Sequence, residues 1–341
     1  MAVELYRSRV PNWNKLIYLF GMKEFIFDAT QLRVGQLYSL DEKVIKVHQI
    51  SDALVKIAVV DGFGSLYNME GTMDYLKSRL KPDNDEPIKH EKFDMVCTIM
   101  REGMSVYLYG AAGTGKNVLC QQVAEELGLK FYFANSVQDR FDLLGYGDAN
   151  GRYVETEFYK AFTQGGLFML DEMDNSCEDS LITLNAALAN KYITFPIIGR
   201  VEAHRDFKVI AAGNTCGKGA NELYTGRRPL DASTLNRFEF VEIGYDKRIE
   251  KQISKGDTAL VNFVHDLRKS SKRAGCPLVV SYRNISSITK LKSKFSMKDC
   301  MQMCLLKGMQ SDEISILHRG LNDKRNEYAQ VLEQLMYKEE D

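Results

Sequence analysis

Short apolar runs recur along the middle of the chain, and longer segments with helically spaced apolar residues separate them. The runs are rich in β-branched and aromatic residues and cover 105–109, 130–134, 166–170, 206–212 and 238–243. Strands that alternate with helices in this way form a mostly parallel sheet with helices on both faces. The pattern therefore predicts a five-stranded α/β fold whose ligands bind at the carboxyl ends of the strands.

The first eighty residues have a different pattern. Lys43–His48 and Ala53–Val60 have the composition of strands, Asp61–Gly64 is a turn sequence, and a short helix is predicted near Met73–Leu80. Residues 1–80 are thus predicted to form a small β-rich module without chemistry of its own. Residues 81–87 are polar, contain two prolines and are predicted to be a linker.

Helical spacing predominates in the C-terminal third. The pattern predicts an αβα domain over 88–245, a helical lid subdomain over 246–310 and a C-terminal helix within 311–341. Cys300 and Cys304 are four residues apart, which favours a buried helix face over a metal pair. The C-terminal helix carries an apolar stripe that we expect to pack on its own protein, formed by Tyr328, Val331, Leu332 and Leu335.

A glycine-rich loop follows the first of the five apolar runs. Its sequence is Gly110-Ala-Ala-Gly-Thr-Gly-Lys-Asn117, and an amphipathic helical segment begins at Val118. Glycines let backbone N–H groups line an anion site, the helix N-terminus adds positive charge, and Lys116 can reach phosphates. Two glycines and a lysine at this spacing also arise by chance, so the loop needs a second motif. The predicted binding residues are Gly110, Ala111, Ala112, Gly113, Thr114, Gly115, Lys116, Asn117 and Val118.

The second motif is a buried strand that ends in two acids, Leu167-Phe-Met-Leu-Asp171-Glu172. Two acidic residues at the end of a strand can also be without any catalytic role. Some fifty residues after a phosphate loop, however, they suit a magnesium–nucleotide site, which needs a carboxylate near the metal and a group that deprotonates water. We predict that Asp171 takes the first role and Glu172 the second.

The order of the motifs resembles that of the AAA+ ATPases, specifically the MoxR-type and dynein-related branch. It looks closest to the small ATPase subunit of cobaltochelatase and its relatives. The resemblance covers about Phe93 to Arg283 and includes Asp142–Tyr146 with Gly151–Glu155, Lys191–Phe195 through His204–Phe207, Ala211–Thr215, Leu235–Phe238 and Ser281–Arg283. In that family these segments are a hairpin before the Walker B strand, a hairpin before sensor 1, sensor 1 itself, the arginine-finger segment and sensor 2.

The resemblance implies roles for three further residues. Asn214 would bind the γ-phosphate or the attacking water, Arg237 would reach into the site of a neighbouring subunit, and Arg283 would report the γ-phosphate to the helical lid. Arg227 and Arg228 are rival fingers. The resemblance also implies ATP and Mg²⁺ as cofactors, a homo-oligomeric ring that is usually a hexamer, and a partner protein that often carries a von Willebrand factor A domain.

Asn117 departs from the family pattern, which has Ser or Thr at this position. An amide oxygen is also a hard ligand for magnesium, but the longer side chain can shift the metal. We therefore expect Asn117 and Asp171 to be the metal ligands and nucleotide binding to survive, and we leave the rate of hydrolysis open.

Charge and cysteine content bear on the possible partners and the cellular compartment. The chain has a net charge of −1, but residues 246–310 contain fourteen Lys or Arg and five Asp or Glu. This basic segment either faces nucleic acid or an acidic partner or is a solvated surface. Seven cysteines without paired spacing, no secretory signal and no long apolar run indicate a cytoplasmic protein without a membrane span.

These observations lead to one expected function and two alternatives. The expected function is an ATP-hydrolysing ring that remodels a partner protein or complex. A nucleotide-gated binding protein with little turnover is the first alternative, supported by Asn117. An AAA+ NTPase associated with nucleic acid is the second, supported by the basic segment.

Overall fold

In the computed structural model the chain divides into two compact units, Met1–Ile88 and Lys89–Asp341. The structure describes the backbone of five strands in the first unit and residues 88–336 in full. Each unit is described by itself below.

The first unit contains an antiparallel sheet with the strand order β4-β3-β2-β1-β5. Its strands are β1 Leu37–Leu40, β2 Lys43–Ile50, β3 Val55–Val60, β4 Leu66–Gly71 and β5 Lys81–Pro82. The two strands predicted from composition are confirmed as β2 and β3. The predicted turn at 61–64 and the predicted helix at 73–80 lie outside the described residues.

The start of the predicted linker differs from the expectation. Lys81 and Pro82 form an edge strand that pairs with Ser39 and Tyr38 of β1. Proline is tolerated at a sheet edge because its missing N–H can face away from the ladder. The prediction of a linker over 81–87 is therefore wrong for these two residues.

Helices and strands alternate through the first part of the second unit. Their bounds are α1 Phe93–Arg101, β6 Ser105–Tyr109, α2 Lys116–Glu126, β7 Phe131–Ala134, α3 Phe141–Leu144, β8 Tyr146–Gly147, β9 Tyr153–Val154, α4 Glu157–Gln164, β10 Gly166–Leu170, α5 Glu178–Asn190, β11 Tyr192–Phe195, β12 Gly199–Glu202, β13 Phe207–Gly213, α6 Ala232–Leu235 and β14 Phe238–Glu242.

Five of these strands form a sheet in the order β14-β6-β13-β10-β7, and every neighbouring pair is parallel. All five residues of β10 are buried, as expected for a strand that is covered on both faces. The predicted five-stranded parallel sheet is confirmed. The two hairpins expected from the family resemblance are present as β8–β9 and β11–β12.

The two faces of the sheet pack in separate cores because successive side chains of a strand point to opposite faces. Val106 and Leu108 of β6 pack with buried residues of α1 and α2. Tyr107, between them, lies in the core that also contains Phe158 of α4 and Phe168 of β10. The alternation holds β6 between the two layers and thereby fixes the start of the glycine loop.

The remainder of the second unit is helical. It consists of α7 Lys247–Ile253, α8 Thr258–Ala274, α9 Tyr282–Leu291, α10 Met297–Met301, a π-helical turn Gln302–Leu306, α11 Ser311–Arg319 and α12 Glu327–Gln334.

One hydrophobic cluster joins these helices. It contains both Phe263 of α8 and Tyr328 of α12, whose rings are stacked with their centroids 5.8 Å apart. Cys304 lies in the same cluster, and Cys300 is also buried, so the predicted core face is confirmed. The C-terminal stripe packs on its own protein as expected.

None of the helices in the described part of the chain is long and apolar enough to cross a membrane. Within the same residues, histidine, cysteine and carboxylate side chains do not gather in groups of three or more that could hold a metal ion.

Candidate nucleotide-binding site

The glycine loop lies between the carboxyl end of β6 and the first residue of α2, Lys116. Gly113 and Gly115 have φ angles of 72° and 84°, in the left-handed region that glycine adopts without strain. A Cβ atom on Gly113 would also lie 2.6 Å from Cβ of Ser281, just before α9. The loop therefore needs glycine for its own path and for close approach of the helical segment.

Lys116 is buried at the base of this loop, with 7% of its surface exposed. Its Nζ donates to the carbonyl oxygens of Gly110 and Ala111 at 2.7 and 3.1 Å and to Oδ1 of Asn214 at 3.2 Å. Burial lowers the pKa of Lys116 to about 8, although the nearby Asp171 and Asp174 carboxylates oppose the shift. The amine is thus a poorly hydrated cation that an anionic ligand would stabilise.

Asn117 and Asp171, the two predicted metal ligands, are in direct contact. Nδ2 of Asn117 donates to Oδ2 of Asp171 at 2.9 Å, and Oδ1 of Asp171 accepts the backbone N–H of Glu172 at 2.9 Å. The structure therefore brings the end of the phosphate loop to the acidic end of β10. One carboxylate and one amide fit Mg²⁺, which is usually held by one or two protein oxygens together with phosphate oxygens and water.

Glu172 has an unusual backbone. Its φ and ψ angles are 50° and 40°, a left-handed conformation that few residues other than glycine adopt. Such conformations are held by the surrounding structure and occur often at functional sites. The side chain pairs with Arg227, whose Nη2 lies 3.0 Å from Oε1 of Glu172.

Asp174 is a third acid at this end of β10, and the sequence analysis missed it. It is fully buried, and its Oδ2 accepts hydrogen bonds from the backbone N–H groups of Asn214 and Thr215 and from Oγ1 of Thr215 at 2.9 to 3.0 Å. The only available signal was its position two residues after Glu172. The backbone of the predicted sensor is therefore anchored to the acidic turn.

Two tyrosines from outside the loop hold Ala112. Its N–H donates to Oη of Tyr224 at 2.8 Å, and its carbonyl oxygen accepts from Oη of Tyr245 at 3.0 Å. Thr114 is buried, whereas Val118 is 55% exposed on the first turn of α2. The loop is thus fixed at its middle as well as at its two ends.

The predicted arginines lie in three different settings. Arg237 donates to the carbonyl oxygens of Ser233 in α6 and Asn185 in the middle of α5, at 2.7 and 3.2 Å. Arg283 is exposed in the first turn of α9, directly after Tyr282, whose N–H donates to Gly113. Arg227 contacts its own chain's Glu172, and the neighbouring Arg228 is exposed.

A phosphate loop after the first strand of a parallel sheet, with an acidic strand end beside it, defines a P-loop NTPase fold. Residues 105–238 match the family AAA domain (dynein-related subfamily), so this segment of the chain is an AAA domain. The expected likeness to the dynein-related branch is confirmed for this segment. The closer likeness to cobaltochelatase subunits stays a prediction.

Solved structures similar to the chain have low identity. They include NtrX of Brucella abortus in complex with ADP, with 13% identity over 57% of this chain and 43% of that chain and a TM-score of 0.36. A RuvB variant of Thermotoga maritima has 13% identity over 72% and 67% and a TM-score of 0.35. A candidate ATPase of Cytophaga hutchinsonii has 14% identity over 74% and 82% and a TM-score of 0.39. The chain thus spans less than half the length of NtrX.

Proposed function

We propose that the protein is a magnesium-dependent ATPase that works as a ring, with six subunits as in most AAA+ assemblies, and remodels a partner protein or complex. The observation that carries the proposal is the contact of Lys116 with Asn214 and of Asn117 with Asp171. These contacts bring the phosphate loop, the sensor and the acidic strand end together at the carboxyl ends of β6, β13 and β10.

Each side chain has a task in this proposal. The loop N–H groups and Lys116 bind the phosphates, and Asp171 and Asn117 hold magnesium, which supplies charge neutralisation at the phosphates. Glu172 takes a proton from the attacking water, and Asn214 orients that water or the γ-phosphate. The Gly113 contacts with the start of α9 connect the site to the helical segment, where Arg283 lies.

Arg237 is the proposed finger that acts on a neighbouring subunit. Arginine stabilises transition-state charge well because its planar guanidinium presents several donors in a fixed geometry. In this structure Arg237 bonds two backbone carbonyls of its own chain, so assembly would have to redirect it. Partner choice is assigned to the N-terminal module, and a von Willebrand factor A domain is the expected kind of partner.

Steady-state phosphate release tests this function. We expect turnover that rises with protein concentration as subunits assemble and that vanishes in Arg237→Ala. Mixing Arg237→Ala subunits with Lys116→Ala subunits should restore part of the activity, because interfaces with an intact loop and an intact finger reappear. If mixtures shown to co-assemble stay inactive, Arg237 does not act between subunits.

A nucleotide-gated binder with little turnover is the second candidate. The observation that favours it is the amide of Asn117, which donates to the same carboxylate that should hold magnesium. An amide N–H₂ bound to Asp171 competes with the metal for one carboxylate oxygen.

Asn117→Thr distinguishes the two functions. The hydroxyl restores the family's usual ligand and frees Asp171 from the amide, so we expect ATP hydrolysis at least as fast as in the parent. A large gain would favour the slow binder as the natural state, because a misplaced metal would have limited the rate. Phosphate release across a magnesium titration measures the effect, and a slower variant would show that the amide is the better ligand here.

A further inference from the structure

Asp174 accepts hydrogen bonds from both ends of the segment 214–228, which follows β13. Its Oδ2 accepts the N–H groups of Asn214 and Thr215, and its backbone carbonyl accepts the N–H of Arg228 at 2.8 Å. Between these two ends lies Tyr224, which accepts the N–H of Ala112 in the phosphate loop. A single buried carboxylic residue thus fixes the segment that carries the sensor.

Arg227 extends this anchorage to the candidate general base. Its Nη1 lies 3.5 Å from Oδ1 of Asp174, and its Nη2 lies 3.0 Å from Oε1 of Glu172. The guanidinium therefore lies between two carboxylates that would otherwise repel each other. Burial lowers the pKa of Arg227, but the hydrogen bond to Glu172 and the charge of Asp174 outweigh burial and leave the pKa raised.

The contact with Arg227 leaves the second carboxylate oxygen of Glu172 available to accept a proton. Among the described residues only Oε1 of this side chain has a hydrogen-bonding partner, so Oε2 can accept a proton. A carboxylate held through one oxygen by a fixed guanidinium keeps its second oxygen in a defined place. Glu172 would otherwise be a freely rotating acid on a left-handed turn.

We propose that Asp174 and Arg227 are positioning residues for ATP hydrolysis. Asp174 is the fixed point, and from it the sensor Asn214 is held through the backbone and the base Glu172 is held through Arg227. Arg227 thus acts on the site of its own chain and is not the finger for a neighbour. This inference rests on the proposed ATPase function and adds two residues to its site.

A double-mutant cycle tests whether Arg227 acts through Glu172. Arg227→Met removes the charge and keeps the length of the side chain. We expect kcat to fall about 10- to 100-fold, with nucleotide affinity changed less than about threefold, and we expect less than about threefold further loss in the Glu172→Gln background. Arg205→Met is the matched control because its side chain is 89% exposed, and it should leave both constants unchanged.

Several results would overturn the inference. Unchanged or faster turnover in Arg227→Met would do so, and so would losses that multiply in the double variant, because Arg227 would then act independently of Glu172. Absence of turnover in the parent protein would overturn the proposed function and this inference together. Turnover in the parent with multiplying losses would overturn the inference alone.

A milder variant covers the case in which Arg227→Met does not fold. Thr215→Val removes only the hydroxyl that donates to Oδ2 of Asp174. We expect kcat to fall about threefold to tenfold, with nucleotide affinity changed less. Wild-type kcat in folded Thr215→Val would contradict the role of Asp174 as the fixed point.

Subunit mixing separates positioning within a chain from a finger between chains. Arg227→Met subunits mixed with Lys116→Ala subunits should show only the residual turnover of Arg227→Met alone, because no subunit then has both an intact loop and an intact Arg227. The mixture of Arg237→Ala with Lys116→Ala is the matched positive control. Recovery of turnover in the Arg227 mixture would show that Arg227 acts across the interface and would overturn the inference.

Discussion

Lys116→Ala is expected to abolish ATP binding at concentrations that saturate the parent protein. The Nζ of Lys116 lies within 3.2 Å of two loop carbonyls and of Asn214, where it can meet phosphate oxygens. Removing one partner of a buried, hydrogen-bonded charge pair costs about 2–5 kcal/mol, which corresponds to a loss of affinity of about 1.5 to 3.5 orders of magnitude. The loop N–H groups alone cannot offset the charge of a triphosphate.

Titration with a fluorescent ATP analogue measures this loss. Lys160→Ala is the matched control, because Lys160 forms a partly exposed ion pair with Glu157 on α4, and such pairs contribute little. The control should bind ATP with the parent's affinity. Equal affinity in Lys116→Ala, with the variant shown to be folded, would refute the assignment of the phosphate loop.

The central sheet could be predicted because its signal is local. Each parallel strand is covered on both faces and therefore appears in the sequence as a continuous apolar run. The bounds of β6 and β10 agree with the prediction at both ends, and β7 begins one residue later. The carboxyl ends of neighbouring parallel strands meet, so the proximity of the loop, Asp171 and Asn214 also follows from the pattern.

The contacts around Asp174 could not be predicted because they join distant parts of the chain. Asp174 and Asn214 are 40 positions apart, and Glu172 and Arg227 are 55 apart. Spacing within one helix or strand carries no information on such pairs. Arg227 was consequently considered only as a rival finger, although the structure places it on Glu172 of its own chain.

The short strand at Lys81–Pro82 shows a second limit of local composition. Polar residues and prolines are typical of a linker, and nothing near these positions indicates a strand. The pairing depends on β1, more than forty residues earlier. Proline is compatible with it only because β5 lies at the edge of the sheet.

Glu172→Gln is expected to retain bound ATP and to lower turnover by about two to four orders of magnitude, the usual contribution of a general base. Glutamine keeps the length of the side chain and can still accept a hydrogen bond from Arg227, but it cannot take a proton from water. Binding depends on Lys116 and the loop, which the change leaves intact. The variant should therefore accumulate in its ATP-bound state.

Single-turnover hydrolysis and nucleotide retention on the same sample separate the two effects. Glu178→Gln is the matched control, because Glu178 is exposed in the first turn of α5, six residues after Glu172. If the protein is the remodelling ring proposed above, a trapped ATP state should also hold the partner longer, and Glu172→Gln would then be the suitable bait for isolating that partner. Near wild-type turnover in Glu172→Gln would exclude Glu172 as the base. Asp171, which is only partly buried, would then be the remaining acid at the end of β10 to test. Asp174 is fully buried and already contacts Asn214, Thr215 and Arg227.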